Sequence, residues 1–171
     1  MTTSGTKTLR RIQLGRESTP LTAVAASTIW RGPAIMPVDE QVKIMPEENI
    51  GFSSPITRQY TPKKLASMAF PSTPATFQQI LHVCEGGIKT VTPTQDGTGS
   101  GYIYSYPLPS GDQNTVKTYT IEGGDNKVAE EMEGAFVVDW ELSGKKNEAW
   151  MLSANWQGRQ STVSSFTGAL S

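Results

Sequence analysis

The chain has 171 residues, of which 36% are hydrophobic and 18% charged, with 16 glycines, 11 prolines and a formal net charge of −1. This length suits one domain that buries about 70% of the surface its unfolded chain would expose, and the composition is too apolar in its segments for a disordered chain. A charge this close to zero excludes a generally basic nucleic-acid binder, whose affinity comes mostly from neutralising phosphates. The single cysteine, Cys84, cannot form an internal disulfide, so the fold does not depend on an oxidising compartment. No stretch approaches the roughly 20 apolar residues that span a bilayer. The N-terminus lacks the apolar core and cleavage site of a signal peptide, so folding is expected in a cytoplasm.

Taken in chain order, residues 1–16 are polar and basic, carrying Lys7, Arg10, Arg11 and Arg16; an N-terminal arm or a first short strand is expected. Residues 22–26 are small and weakly helical. A strand containing Trp30 is expected over 28–31, ended by Gly32-Pro33. Residues 34–61 have no strong period and carry Pro37, Pro46 and Pro55, with a short strand-like stretch at 41–45. So long a loop-like segment usually has a task, and an extended hairpin arm contacting a neighbour is the preferred reading. A strand at 65–70 precedes a helix over 74–85. Thr73 is expected to cap it, Pro74 to take its first position, and Phe77, Ile80, Leu81 and Cys84 to fall on one face, with Gly86-Gly87 as the stop. Strands follow at 102–106, 116–122 and 128–133. The last two strands form the hairpin FVVDWELSGKKNEAWMLSANWQGR over 136–159. The class is α+β and mostly β, an antiparallel sandwich or partial barrel in a single domain over 1–171, with one flanking helix and an extended arm.

Catalytic constellations are scarce. His82 is the only histidine, and it lies two residues from Cys84 on the expected helix, hence on a different face; a structural histidine is the simpler reading. One His and one Cys do not make an ordinary zinc site. Asp139 and Glu141 share a strand face at a spacing compatible with paired-acid glycoside hydrolysis, but nothing else suggests a sugar cleft. Gly97, Gly99 and Gly101 precede no helix and read as a mobile turn, not a dinucleotide loop. The chain is not expected to be an enzyme or to carry a cofactor or a metal.

Strict alternation in the hairpin places Phe136, Val138, Trp140 and Leu142 on one face of the first strand and Val137, Asp139 and Glu141 on the other. In the second strand Trp150, Leu152, Ala154 and Trp156 oppose Met151, Ser153, Asn155, Gln157 and Arg159. The apolar sets are expected to be sealed beneath the helix as the energetic centre of the domain. The other face is polar, neutral or acidic. A solvated face is ordinary for an antiparallel sheet; a wall of a water-filled passage is the more specific alternative.

Several stretches, in order along most of the chain, resemble the tail tube (major tail) proteins of long-tailed, siphovirus-type bacteriophages. They are IQLGRESTPLTAVAASTIWRG, PEENIGF, RQYTPKK, PATFQQILHVCEGGI, GSGYIYSYPLP, NTVKTYTIEGGDNKVAEEMEGAFVVDWELSG, ANWQGRQ and FTGAL. The resemblance implies a sandwich-like β fold with a flanking helix. It also implies a structural virion protein, assembled in the host cytoplasm, that forms sixfold or pseudo-sixfold rings stacked into a tube. Its partners are other copies of itself and other tail proteins, and double-stranded DNA passes without specific binding. Asp139, Glu141, Ser153, Asn155 and Gln157 are then expected to face the lumen, with Arg159 at the ring edge. Met36, Ile44 and Met45 are expected on the arm between subunits. The chain ends soon after the hairpin, either as a complete short form or with a related subunit supplying a further β unit. The alternatives are another tail ring protein, such as a terminator or connector, and a carbohydrate-binding β-sandwich with exposed tryptophans.

Overall fold

The computed structural model describes residues 10–34, 37–48, 50–54, 56–108, 110–111, 113–168 and 170. Its elements are β1 (Arg11–Arg16), β2 (Thr28–Trp30), β3 (Val38–Ile44), β4 (Tyr60–Pro74), α1 (Phe77–Gly87), β5 (Thr94–Gln95), β6 (Tyr102–Ile103), β7 (Tyr119–Gly124), β8 (Ala129–Ser143), β9 (Met151–Gly158) and β10 (Ser161–Ser164). Every pairing is antiparallel. The strand order is β2-β1-β7-β8-β9-β4-β3, with β10 also on β8 and β5–β6 as a separate ribbon. The expected mostly-β class with one helix describes the fold.

The 15-residue β8 organises the molecule. Its first half pairs with β7 and β10, and its second half pairs with β9. The strand therefore leaves one layer (β2-β1-β7-β8-β10) and enters another (β8-β9-β4-β3). Two extra residues on β8 assist the turn. One lies near Gly134, where the register with β7 shifts between Tyr119↔Ala135 and Ile121↔Met132, and the other lies at Val138, opposite β9. Gly134 has φ 63°, the left-handed conformation glycine tolerates and a β-bulge often requires. Expectation had cut this segment into two strands.

Glu17 holds the bend. Its buried carboxylate accepts hydrogen bonds from the Gly134 amide (2.7 Å) and Thr120 Oγ1 (3.1 Å) on one oxygen, and from Thr118 Oγ1 (2.7 Å) and the Leu21 amide (2.9 Å) on the other. One side chain thus ties the end of β1 to β7 and to the bulge of β8. Buried polar groups persist where their partners are complete.

Both layers contribute to the core: Ile12, Leu14, Trp30, Tyr119, Ile121 and Met132 from one, and Met68, Phe70, Val137, Leu152 and Trp156 from the other. Aromatic rings cross between them, with Trp30–Phe70 centroids 4.6 Å apart and Tyr119–Trp156 centroids 5.4 Å apart. Fully buried side chains of this size contribute roughly 1.5–3 kcal/mol each.

Helix α1 begins later than expected. Thr73 and Pro74 belong to the end of β4, and Thr76 caps the helix by accepting from the Gln79 amide. The buried side is Gln79, Val83, Cys84 and Gly86, while Phe77 is 89% exposed. Gly86 and Gly87 lie inside the last turn and do not stop the helix. They let it approach the sheet: a Cβ on Gly86 would sit 3.0 Å from Trp156, and one on Gly87 3.0 Å from Val137. Residues 22–26 are not helical, and the strand expected over 102–106 is reduced to β6.

Candidate functional site

The second layer, β3-β4-β9-β8, has two open edges. β3 forms one, and the second half of β8 forms the other; no strand pairs beyond either among the described residues. Unpaired edges offer rows of backbone donors and acceptors to another chain. The first layer also ends in strands, β2 and β10, with no partner beyond them among the described residues, but it differs in its cover. Its outer side is covered near the C-terminus, where the Thr167 amide and hydroxyl donate to Glu122 and Gln13 Nε2 donates to the Thr167 carbonyl at 2.9 Å. Glu122 and Gln13 are buried there.

The five residues expected on a polar face do share one, on the side of the second layer away from the core. Asp139 is paired with Asn155 and Glu141 with Ser153 across β8–β9, and the Asn155 amide donates to Asp139 Oδ2 at 3.1 Å. Gln157 follows Asn155 on the same side and is paired with Ser67 of β4 and Phe136 of β8. Register carries the surface onward through Ala69, Ser67 and Leu65 to Val38 and Glu40 of β3. The charges on it are Glu40, Asp139 and Glu141 against Lys63, so the face is acidic.

The apolar side is not arranged as alternation implied. The extra residue at Val138 reverses the phase of β8. Val137, not Phe136, is buried beside Trp156, and Phe136 lies with Gln157 on the polar face. Beyond the bulge Trp140 and Leu142 do turn to the core side, paired with Ala154 and Leu152. They remain 37% exposed each, and Trp150 is 59% exposed. Only Trp156 of the three hairpin tryptophans is sealed; Trp30 and Phe70 complete the aromatic core in place of the others. The expectation of an entirely sealed apolar face is therefore corrected: helix α1 covers the hairpin only near Val137 and Trp156.

An arm contacting a neighbour is the expectation for 34–61, and the described part of that segment contains a hairpin. β3 and the start of β4 form an antiparallel hairpin, and Glu48 accepts from Arg58 Nη2 at 2.6 Å and Nε at 3.0 Å to cinch its loop. Ile44 and Met45 are exposed on it, as are Ile50, Phe52 and Tyr60. Met36, expected with them, lies outside the described residues, as do residues 1–9 of the expected N-terminal arm. Arg159 follows β9, where its guanidinium lies 3.4 Å from Glu133.

His82, Tyr119, Glu85 and Arg16 form one connected cluster. Tyr119 donates its hydroxyl hydrogen to Glu85 at 2.6 Å, and Arg16 pairs with the other Glu85 oxygen. Because that hydrogen is used, His82 Nδ1, 3.1 Å from the Tyr119 oxygen, is the donor in its bond. Burial holds the His82 imidazole below its ordinary range, with Glu85 opposing and Arg16 reinforcing the shift. Burial also raises the Tyr119 phenol, as do its bond to Glu85 and that carboxylate's charge. Cys84 is buried, and its thiol is raised chiefly by burial against the effect of a bond with Tyr106. Arg16, His82, Glu85, Tyr104 and Tyr106 border a cavity of about 380 Å³. Among the described residues no three His, Cys, Asp or Glu side chains are grouped to hold a metal, and no helix is long and apolar enough to cross a membrane. What alternation concealed is the exposed apolar end of the hairpin, with Trp140, Leu142 and Trp150 open to solvent beside the Gly144-Lys145-Lys146 turn. The chain matches no family model and no curated protein.

Proposed function

We propose that this chain is a structural subunit whose copies join edge to edge into rings, and whose rings stack into the tail tube through which a long-tailed bacteriophage delivers DNA. The observation that carries the reading is the four-stranded sheet with two open edges, whose bare side carries Asp139, Glu141, Ser153, Asn155 and Gln157 across β8 and β9. Its parity supports closure. Four alternating strands put β3 and β8 in opposite directions, so copies related by rotation meet β8 to β3 as an antiparallel pair, the pairing used throughout the subunit. Closing the ring removes both edges. Six copies give 24 strands; at about 4.8 Å apart and tilted about 40°, these enclose a backbone diameter near 48 Å. Side chains of about 5 Å on each wall leave a bore of roughly 35–40 Å, wide enough for a duplex.

In that arrangement Asp139, Glu141, Ser153, Asn155 and Gln157 line the passage. Acidic and neutral groups suit transit, since a lysine-rich wall would bind phosphates through counterion release and retard DNA. Ile44 and Met45 of the arm contact other copies. The exposure of Trp140 and Trp150 gives a second reading some support, a carbohydrate-binding module, because exposed indoles are what such a site needs.

Electron microscopy of the purified protein separates the two. Annular particles with a central hole, or filaments, are expected. Monomers under all conditions, together with tryptophan quenching by added glycan, would replace the tube reading with the binding module.

A further inference from the structure

Helix α1 has a second face beside the buried one. Gln78, Leu81, His82 and Glu85 fall on it at i, i+3, i+4 and i+7. The chain that leaves α1 returns through the β5–β6 ribbon, and Val91 and Pro93 before the ribbon and Tyr104 after it border the same space as this face. That space, with Arg16 of β1 at its margin, is the cavity of about 380 Å³. Small-molecule sites begin at about this size, roughly 300–1,000 Å³.

The charges in the cavity cancel. Arg16 pairs with one Glu85 oxygen and the Tyr119 hydroxyl donates to the other, so neither an anion nor a cation finds an unopposed partner. Hydrogen-bonding capacity is nevertheless left over in both senses. His82 gives its Nδ1 hydrogen to Tyr119, which leaves Nε2 a bare acceptor. Arg16 keeps N–H groups beyond the one on Glu85, and its side chain is 52% exposed. The Gln78 amide and the Tyr104 hydroxyl bond to no other side chain or backbone group among the described residues. Leu81, Val91, Pro93 and the Tyr104 ring supply apolar wall between these groups.

We propose that this cavity binds one neutral hexose unit. A pyranose has the matching pattern: C–H faces that pack on apolar and aromatic walls, and hydroxyls that each donate and accept. Its hydroxyls donate to His82 Nε2 and accept from Arg16 and the Gln78 amide, while a C–H face lies on Tyr104. A phosphate or carboxylate would have to displace Glu85 from Arg16, and a purely apolar ligand would strand the spare polar groups. The site is separate from Trp140 and Trp150 of the β8–β9 hairpin, and it does not depend on the ring reading.

Saturation-transfer NMR observed on the sugar tests this with full-length protein, whether assembled or not. Glucose, galactose and N-acetylglucosamine are the probes, with glucuronate and glucosamine as charged counterparts. At least one neutral probe should bind with a Kd on the order of 1 mM, as expected of so small a ligand. Gln78→Ala and Tyr104→Ala change exposed side chains, so circular dichroism melts should match wild type while each weakens binding by about fivefold or more. Trp150→Ala should leave binding within about twofold of wild type. Absence of transfer to every neutral probe, at concentrations on the order of tens of millimolar, would overturn the site. Tighter binding of glucuronate or glucosamine than of the neutral sugars would overturn the neutral ligand and assign the cavity to a charged one. Binding that survives Gln78→Ala and Tyr104→Ala but is lost in Trp150→Ala would overturn the cavity in favour of the hairpin tryptophans.

Discussion

Replacing Glu17 by alanine should cost about 3–5 kcal/mol, a large effect for a residue that makes no salt bridge among the described residues. The carboxylate receives two backbone amides, Leu21 and Gly134, and two hydroxyls, Thr118 and Thr120. The hydroxyls can rotate toward other acceptors, but the amides cannot. Each buried, orphaned N–H costs about 1–3 kcal/mol, and bonds to a charged acceptor lie toward the upper end of that range. Glu17→Gln keeps one oxygen but turns an NH₂ group toward a donor, so about 2 kcal/mol should be lost. Urea unfolding followed by tryptophan fluorescence measures both, read as a midpoint shift at constant slope. Hydrogen exchange gives the local signature: the Gly134 amide should lose protection before β9 does. The reasoning would be refuted by an alanine variant within 1 kcal/mol of wild type whose Gly134 amide stays protected.

Three further outcomes are expected. Because burial depresses the His82 pKa, the folded state favours the neutral ring; the unfolded chain takes its proton first, from about pH 6.5 downward. The stability this residue contributes is thus present above that pH and lost as the pH falls toward the folded value, so unfolding midpoints should fall more steeply from pH 7 to 5 in wild type than in His82→Gln. Gly87→Ala gains about 1 kcal/mol of helix propensity but brings a methyl to 3.0 Å from Val137; a net loss of about 1–2 kcal/mol is expected, and thermal melts should show Val137→Ala relieving part of it. Ser153→Lys with Asn155→Lys should leave tubes intact by electron microscopy yet impair DNA delivery; unchanged infectivity would count against a lumenal position.

Period-two alternation located the strands well, because a half-buried antiparallel strand must alternate. It failed where a residue was added without a change of composition. Nothing about Val138 distinguishes a bulge from a regular position, yet that one residue moved Phe136 to the polar face and Val137 into the core. Asp139 through Gln157 kept the expected side because they lie beyond the bulge or on the unbulged partner. The helix cap slipped from Thr73 to Thr76 for a related reason: β4 pairs with β9 as far as Pro74, and ladder bonds outweighed a local start signal. The exposure of Trp140 and Trp150 was not legible either, since a pattern reports that a face is apolar and not what covers it.

The continuity of β8 has a mechanical consequence. A pull on the sheet bearing Asp139 reaches the sheet bearing Glu131 through peptide bonds, without relying on side-chain friction. The layers cannot slide past one another without tearing a ladder on one side of Gly134. Each copy therefore behaves as a stiff block, and in the proposed tube any flexing would be concentrated in the joints between blocks.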